Sequence, residues 1–368
     1  MKVDLRQMGL TVAAPVLAIV FALVVTTAIL LAAGDPVGAV WETIFSVPKP
    51  RNMVNIINSG SVLYLSALAA AVGFRMNLFN IGVDGQYRIA AFVAAWVAGE
   101  AWLPGFLNIV LAVFVAMCVG AMWAGIAGLL RVTRGVSEVI STIMLNAIAT
   151  AVVAFLLRKV AVSGSNNITT TPIPESSRLQ GFDIIPGATN TVYTMALLAV
   201  LAGVFYWLLL GRTRFGFSLR ATGQSESAAV AAGISVRRMT VYSMLISGAI
   251  AGLIGMPLLF GDSYSYGVTF QPGLGFAGIA VALLGRNHPV GIGFGALLFA
   301  FLNEQANPLQ IRAGVSDEIV NIIQGVIVLS VVIAYEVVRR VNTAAEQRKV
   351  AQQLAESKTT APTPEGVS

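Results

Sequence analysis

Long apolar segments follow one another along almost the whole of this 368-residue chain, and they leave few folds open to it. A spanning helix needs about 20 mainly apolar residues. Inside lipid, such a segment must satisfy its own backbone polar groups, which a helix does. Charged residues make up only 11% of the chain, whereas soluble domains carry about 25%. The sequence therefore predicts an all-α, polytopic membrane helix bundle.

About ten segments qualify as spanning or partly spanning helices. The second, eighth and ninth are short and are predicted to be broken or re-entrant inside the protein. Residues 1–342 form the transmembrane domain, and the polar residues 343–368 are predicted to be a disordered tail. The segments are approximately Thr11–Ala33, Gly60–Phe74, Ile81–Gly99, Gly105–Leu130, Val136–Leu157, Thr191–Leu210, Met239–Phe260, Leu274–Gly285, Val290–Asn303 and Glu318–Val338.

The basic residues orient this bundle. With the N-terminus inside, sixteen of the 23 Lys and Arg residues lie on the cytoplasmic side and six lie outside, in agreement with the positive-inside rule. An even number of spans then puts both termini in the cytoplasm. The basic residues are spread over short loops and form no aromatic-lined patch, so the expected partner is the lipid bilayer and not nucleic acid. The long outer loop, Arg158 to Asn190, is expected to form an ordered cap or a docking surface.

A polar interval between two apolar segments, residues 211–238, is the most distinctive cytoplasmic loop. Ser225 is suited to cap a short helix, Glu226 suits the positive end of its dipole, and Gly233 is suited to end it. A helix this short is marginal alone, so its apolar side, which includes Ala229, must pack against the protein body or a partner. The arginines of the interval are Arg212, Arg214, Arg220, Arg237 and Arg238.

Sequence motifs for catalysis are missing. The chain has no GxxxxGK[ST] phosphate loop, so any ATP-driven activity needs a separate ATPase subunit. It also has no nucleophile elbow and no HExxH helix. Its single cysteine, Cys118, and single histidine, His288, suggest no metal cluster. We therefore expect neither an enzyme nor a cofactor bound by this chain.

Polar residues inside the apolar segments are the candidates for a solute pathway, since such residues usually face the bundle interior or a cavity. Amides and aromatic faces suit an uncharged polar solute. Arg75, Asp84 and Arg88 are instead expected to stabilise a broken helix, and Glu138 to form a solvated pair with Arg134. The pathway candidates are Phe79, Asn80, Gln86, Asn146 and Asn303.

Two regions of the chain are alike. Residues 69–95 and 279–301 each contain a short apolar helix, a Gly and an Arg, a polar break, and a second apolar helix. Paired interrupted spans of this kind are typical of the internal repeat and binding site of a transporter. We predict such a repeat here, although glycine-rich helix packing produces a weaker version of the same pattern.

Six runs of residues resemble one known family, the permease subunits of bacterial ABC importers for branched-chain amino acids and simple sugars. NIGVDGQ (Asn80–Gln86) is typical of sugar and nucleoside permeases in general, and SEVISTIMLN followed by PIPESSRL favours the nucleoside-uptake branch. Asp84 stands where the family often has Glu, which keeps the charge. The runs are Gly73–Gln86, Gly135–Ala149, Thr171–Gln180, Leu219–Arg238, Ile246–Gly255 and Gly275–Gly291.

This resemblance implies a bacterial plasma-membrane importer in which this chain pairs with a second permease, usually a non-identical relative. It also implies a cytoplasmic ABC ATPase, which uses ATP and Mg, and an extracytoplasmic substrate-binding lipoprotein. By the same resemblance, the short helix in residues 211–238 contacts the ATPase. The residues assigned to this coupling role are Arg220, Ser225, Glu226, Ala229, Gly233, Arg237 and Arg238.

Two other functions stay open at this point. One is an ABC permease for simple sugars such as pentoses. The other is a transporter that works alone, which would favour titratable residues in mid-membrane, and Asp84 and Arg88 are almost the only ones. Uptake without an ATPase would identify the second.

Overall fold

The structure is a computed structural model that describes residues 5–162, 168–268, 270 and 272–359. Within these residues the secondary structure is helical, with one short 3-10 turn, one π-helical turn and two isolated β-bridges, and there is no strand. The all-α prediction is confirmed. The helices are α1 (Leu5–Ala33), α2 (Val37–Ile44), α3 (Pro50–Phe74), α4 (Val83–Glu100), α5 (Gly105–Arg134), α6 (Glu138–Val160), α7 (Ala196–Arg212), α8 (Arg214–Gln224), α9 (Glu226–Ala231), α10 (Val236–Gly252), α11 (Met256–Leu258), α12 (Leu274–Leu284), α13 (Pro289–Ala313) and α14 (Glu318–Thr359).

Six helices are long and apolar enough to cross a membrane, and a seventh span results if α7 and α8, which meet at a bend of 72°, are taken together. The six are α1, α3, α5, α6, α14 and the helix that begins at Val236 and ends in the π turn at Ser263. α4, α12 and α13 coincide with the other predicted segments. Each of the ten predicted segments therefore contains a helix, and α12, with eleven residues, is too short to cross a membrane alone.

The chain divides into two compact units. One contains α1 and most of α14. In it, Glu336 pairs with Arg339 and Arg340, each at 2.8 Å, near the end of the apolar part of α14. α14 continues as a helix to Thr359, past residue 343 where the sequence places the start of the tail. The prediction of disorder is therefore wrong for residues 343–359, which are helical, while residues 360–368 lie outside the described residues and their disorder stays a prediction.

The second unit, Gly38–Val320, contains all the predicted functional residues. α3 lies at its centre and packs against α7, α10, α12 and α13. Residues Ala67 to Val72 of α3 are each 0% exposed. Small side chains also bring α5 and α10 together, because a Cβ on Gly120 would lie only 3.0 Å from the backbone nitrogen of Gly252.

α3 is longer than its sequence suggests. The apolar segment predicted to begin at Gly60 is the second half of a 25-residue helix that begins at Pro50. The first half of this helix carries polar side chains, so it lacks the apolar pattern of a span. In the structure, amide side chains of this half have partners inside the protein. Asn58, which is 5% exposed, donates to the carbonyl of Thr191 at 3.0 Å and accepts from the nitrogen of Tyr193 at 2.9 Å.

The described part of the long loop after α6, residues 168–192, is an ordered cap. Thr170 and Ile173 donate backbone hydrogen bonds to Tyr266 and Tyr264, at 2.9 and 2.8 Å, in the loop before α12. The guanidinium of Arg178 lies 4.4 Å from the ring centroid of Tyr264. This contact is a cation–π pair. Of the two roles left open for this loop, the structure shows the ordered cap, and docking of a partner stays a prediction.

Candidate functional site

Two helix breaks begin with the same kind of hydrogen bond. After α3, Asn77 adopts a left-handed conformation (φ 58°), and the nitrogen of Leu78 donates to the carbonyl of Gly73 at 3.0 Å. After α12, Arg286 and Asn287 are left-handed (φ 53° and 55°), and the nitrogen of Asn287 donates to the carbonyl of Ala282 at 2.9 Å. These are the two regions whose sequences are alike, and both end their first helix with a hydrogen bond that spans six residues. Below we call them the first break (residues 75–82) and the second break (residues 285–288).

A hydrogen-bonded bridge connects the two breaks. Nε and Nη2 of Arg75 donate to the carbonyl of Asn287 at 3.2 and 2.8 Å. The hydroxyl of Tyr206 on α7 donates to the same oxygen at 2.8 Å. Arg75 was expected to stabilise a broken helix, and its contact with the second break fits that expectation.

Asn80 and Gln86 lie inside the protein, where they hold the start of α4. They are 0% and 1% exposed. Their amides exchange two hydrogen bonds, at 2.9 and 3.0 Å, and Asn80 also donates to the hydroxyl of Ser247 on α10 at 2.8 Å. Ser247 in turn donates to the carbonyl of Ala69 at 2.6 Å. In this conformation both amides are used within the chain, so neither faces an open space.

Asn146 on α6 binds the backbone of the same region. Its Oδ1 accepts from the nitrogen of Gly85 at 2.8 Å, and its Nδ2 donates to the carbonyl of Ile81 at 2.9 Å. A helix start leaves backbone groups without partners, and this amide satisfies one donor and one acceptor. The side chain is half-buried, so it can be reached from outside the chain while it supports the helix start.

Asp84 connects α4 to the N-terminus of α12. Its Oδ1 accepts from the backbone nitrogens of Gly273 and Gly275 at 2.9 and 3.3 Å, and its Oδ2 lies 3.4 Å from Nε of Arg88. Arg88 also donates to the hydroxyl of Thr150 on α6 at 3.2 Å. A carboxylate at a helix N-terminus is stabilised by the helix dipole. The expected ion pair of Asp84 and Arg88 is present, and it connects three helices.

Glu138 has a different partner from the one that the sequence suggested. It is 5% exposed and pairs with Arg131 at the end of α5, whereas Arg134 is exposed. Its other oxygen lies 3.5 Å from the backbone nitrogen of Phe79 in the first break. The solvated pair with Arg134 is therefore wrong, because α6 begins with Glu138 turned toward the interior.

The two other pathway candidates are exposed. Phe79 is 46% exposed and its ring centroid lies 5.3 Å from that of Phe74. Asn303 is exposed on α13. The five candidates therefore divide into an exposed pair, one half-buried amide and two buried amides. The structure gathers Phe79, Asn80, Gln86 and Asn146 around the first break, while Asn303 lies on α13.

The polar interval forms two helices, α8 and α9. Ser225 is the N-cap of α9, and its hydroxyl accepts from the nitrogen of Ala228 at 3.3 Å. Glu226 is exposed in the first turn, and Gly233 (φ 78°) follows the helix end in a left-handed conformation. Thr213 caps α8 in the same way, by accepting from the nitrogen of Gly216 at 3.0 Å.

α9 has an inner and an outer face. Ala229 is 2% exposed and packs within this chain, where α9 contacts α8 and α10. Val230 is 62% exposed on the outer face, and Phe217 on α8 is 64% exposed. Arg220 is half-buried, whereas Arg237 and Arg238 are exposed.

Sequence reasoning missed Val230 and Phe217. The available signal was an apolar side chain in an otherwise basic, polar loop. Phe217 is exposed on α8 and Val230 on α9, whereas the exposed Arg237 and Arg238 lie in the first turn of α10. Among the described residues, no group of three or more His, Cys, Asp or Glu side chains is placed to hold a metal ion.

The chain is similar to a known protein family and to several characterised permeases. The model of a family described as the permease component of branched-chain amino acid transport systems matches residues 52–332. The guanosine ABC transporter permease protein NupP of Bacillus subtilis is 35% identical over 330 residues, which are 88% of this chain and 93% of that protein. The glucose ABC transporter permease protein TsgB13 of Haloferax volcanii is 32% identical over 86% of this chain and 85% of its own length. The nucleoside ABC transporter permease protein NupB of Lactococcus lactis is 32% identical over 87% and 90%.

Proposed function

This chain belongs to the family of branched-chain amino acid transport system permease components, and we propose that it forms the nucleoside pathway of an ATP-driven importer. It is a multi-pass membrane permease of an ABC transporter, the membrane subunit and not the ATPase. One observation carries the nucleoside proposal. Two relatives whose names state guanosine or nucleoside transport match this chain over nearly their entire lengths.

The broken helices support a pathway for an uncharged polar solute. α12 has eleven residues, which at about 1.5 Å per residue reach only halfway through a bilayer. Its N-terminus meets the start of α4 at Asp84. Helix ends that meet inside a bundle are where transporters place their substrate sites. We assign the lining role to Phe79, Asn146 and Asn303, which are exposed or half-buried, and a supporting role to Asn80 and Gln86.

The surface of α8, α9 and the first turn of α10 is the proposed contact with a cytoplasmic ATPase. Val230 and Phe217 supply its apolar part, and Arg237 and Arg238 supply positive charge. ATP and Mg are then used by that partner. When the ATPase dimer closes on ATP, it moves α9, and the differential contact energy between its two states shifts the permease between inward-open and outward-open forms.

A second permease and an extracytoplasmic binding lipoprotein complete the proposed assembly. The second permease forms the other wall of the pathway and is proposed to be a non-identical relative. The lipoprotein delivers the solute to the outer side, where the ordered cap of residues 168–192 lies in the predicted orientation. Both termini of this chain are then cytoplasmic.

A simple sugar is the second candidate substrate. The relative from Haloferax volcanii, whose name states glucose transport, matches over similar lengths at 32% identity. Sugars and nucleosides both present hydroxyl groups, which amide side chains recognise.

The test is uptake by the reconstituted complex. Proteoliposomes that contain this permease, its partner permease and the ATPase, supplied with the binding lipoprotein, are given radiolabelled guanosine, uridine or glucose. We expect ATP-dependent accumulation of a nucleoside. A matched complex with an ATPase that binds but does not hydrolyse ATP serves as the control and should accumulate none.

Two other results would change the assignment. Glucose accumulation without nucleoside accumulation would support the sugar alternative. Accumulation that continues without the ATPase and ATP would identify a transporter that works alone. Binding of labelled nucleosides to the isolated lipoprotein gives an independent check of the substrate class.

A further inference from the structure

The end of α8 packs directly on the first break. Gly223, in the last turn of α8, has no side chain, and a Cβ there would lie 2.8 Å from the Cα of Met76 and 2.5 Å from the carbonyl oxygen of Arg75. Ordinary contacts of a Cβ are 3.4 Å or longer. The backbones of α8 and the first break therefore touch, and a movement of one must displace the other.

The first break is connected in turn to the second. Arg75 places two donors on the carbonyl of Asn287, and Tyr206 places a third. Asn287 is in the left-handed conformation that ends α12 and precedes α13. The carbonyl is thus held by α7 and by the end of α3. One arginine connects both interrupted helix pairs.

The contact also lies next to α9. Gly223 is two residues before Ser225, which caps α9, and the nitrogen of Ser225 donates to the carbonyl of Ala221 at 3.1 Å. No flexible linker separates the end of α8 from the start of α9. A displacement of α9 therefore reaches Met76 without passing through a loop.

We propose that Arg75 is a positioning residue that transmits the movement of α9, through the contact of Gly223 with Met76, to both helix breaks at once. This inference rests on the proposed function, because it assumes that an ATPase moves α9. A contact that transmits movement and a contact that only packs have different effects when they are changed. Packing alone would change stability, whereas a transmitting contact changes how much solute is moved for each ATP hydrolysed.

Two glycine variants test the first contact. Gly223→Ala forces the first break away from α8, whereas Gly325→Ala, also within a helix, introduces a Cβ with nothing within 4 Å. In the reconstituted complex we expect Gly223→Ala to lower ATP-dependent guanosine uptake by about 5-fold or more, the range of a coupling of 1–3 kcal/mol. ATP hydrolysis should stay within about 2-fold of the native rate, because coupling and not the ATPase is changed. Gly325→Ala should match the native complex in both.

Arg75 variants test the second contact. Arg75→Gln loses the two donors to Asn287, and the same fall in uptake per ATP is expected. Arg75→Lys keeps one charged donor that can reach a carbonyl, and it should recover part of the ratio. Such a recovery would show that the hydrogen bond to the carbonyl of Asn287 transmits the movement, and that the loss in Arg75→Gln is not only an effect of the smaller side chain. Size-exclusion profiles of the detergent-solubilised complexes check that each variant is assembled.

The proposal is overturned if Gly223→Ala and Arg75→Gln both keep the native ratio of uptake to hydrolysis, or if both lower the two activities in parallel.

A cysteine-labelling experiment tests the contact of Gly223 with Met76 without any transported solute. In a Cys118→Ser background, the rate of maleimide labelling at Phe79→Cys should change when ATP is added to the native assembly, and Gly223→Ala should remove that change. A native complex that shows the labelling change but no nucleoside uptake would contradict only the proposed substrate. A native complex without the labelling change would contradict the transmission.

Discussion

At the scale of single residues, Asp84 is a buried carboxylate whose partners are two backbone nitrogens and the side chain of Arg88. It is 8% exposed, and two of its hydrogen bonds come from the N-terminus of α12. Asp84→Asn keeps the shape of the side chain but removes the charge that the helix end stabilises. We expect the variant to lower the free energy of unfolding by about 1–2 kcal/mol, and also to weaken the contact with Arg88.

Thermal unfolding of the detergent-solubilised permease measures this effect. Asp183→Asn, at an exposed position in the loop before α7, is the matched control and should leave the midpoint unchanged. Equal midpoints for both variants would show that the α12 N-terminus does not depend on the charge of Asp84.

The side chains around the first break show why residue type alone does not reveal a role. Asn80, Gln86 and Asn146 were selected because amides suit an uncharged solute. In the structure their polar atoms bind backbone groups and one another. An interrupted helix leaves such groups without partners, and amides satisfy them equally well. The sequence identifies the break and its polar residues, but only the packing of α6 and α10 distinguishes lining from support.

At the scale of helices, the apolar segments of the sequence predict that a helix is present better than they predict the residues at which it begins and ends. All ten segments contain helices, but α3 begins ten residues before the predicted start and α13 ends ten residues after the predicted end. The extra turns carry polar side chains such as Asn58, which is buried against the loop before α7. Long-range partners of this kind leave no local pattern. α9 was predictable, in contrast, because Ser225 and Gly233 are local signals.

α9 also allows its inner and outer faces to be tested separately. Val230→Glu places a charge on the outer face, where it should weaken binding of the ATPase about 10-fold or more without loss of permease stability, since a buried unpaired charge is costly in an interface. Co-purification of the ATPase with a tagged permease, together with a thermal scan of the permease alone, measures both effects.

Ala229→Glu is the contrasting variant on the inner face. Because Ala229 is 2% exposed within this chain, the same charge there should lower the thermal midpoint of the permease itself. If Val230→Glu destabilised the permease, or left ATPase binding at the native level, the outer face of α9 would not be the contact surface.

At the scale of the whole molecule, the side of the membrane on which each loop lies depends on α7 and on the distribution of Lys and Arg residues among the loops. α7 separates the cap of residues 168–192 from α8 and α9, and its seventeen residues reach about 25 Å at 1.5 Å per residue. We predict that α7 crosses the membrane once, which would put the two regions on opposite sides of it. The excess of Lys and Arg in the loops on the side of α9 then favours the cytoplasm for that side.

Cysteine labelling tests this orientation in intact cells. Cys118 is exposed and is first replaced by Ser. A membrane-impermeant maleimide should label Asp183→Cys directly but should label Ser227→Cys on α9 only after the cells are permeabilised, since both positions are exposed and differ in side. Labelling of both in intact cells would mean that α7 does not cross the membrane. Labelling of Ser227→Cys alone would mean that α7 crosses but that the positive-inside rule does not orient this chain, and the ATPase contact on α9 would then be impossible.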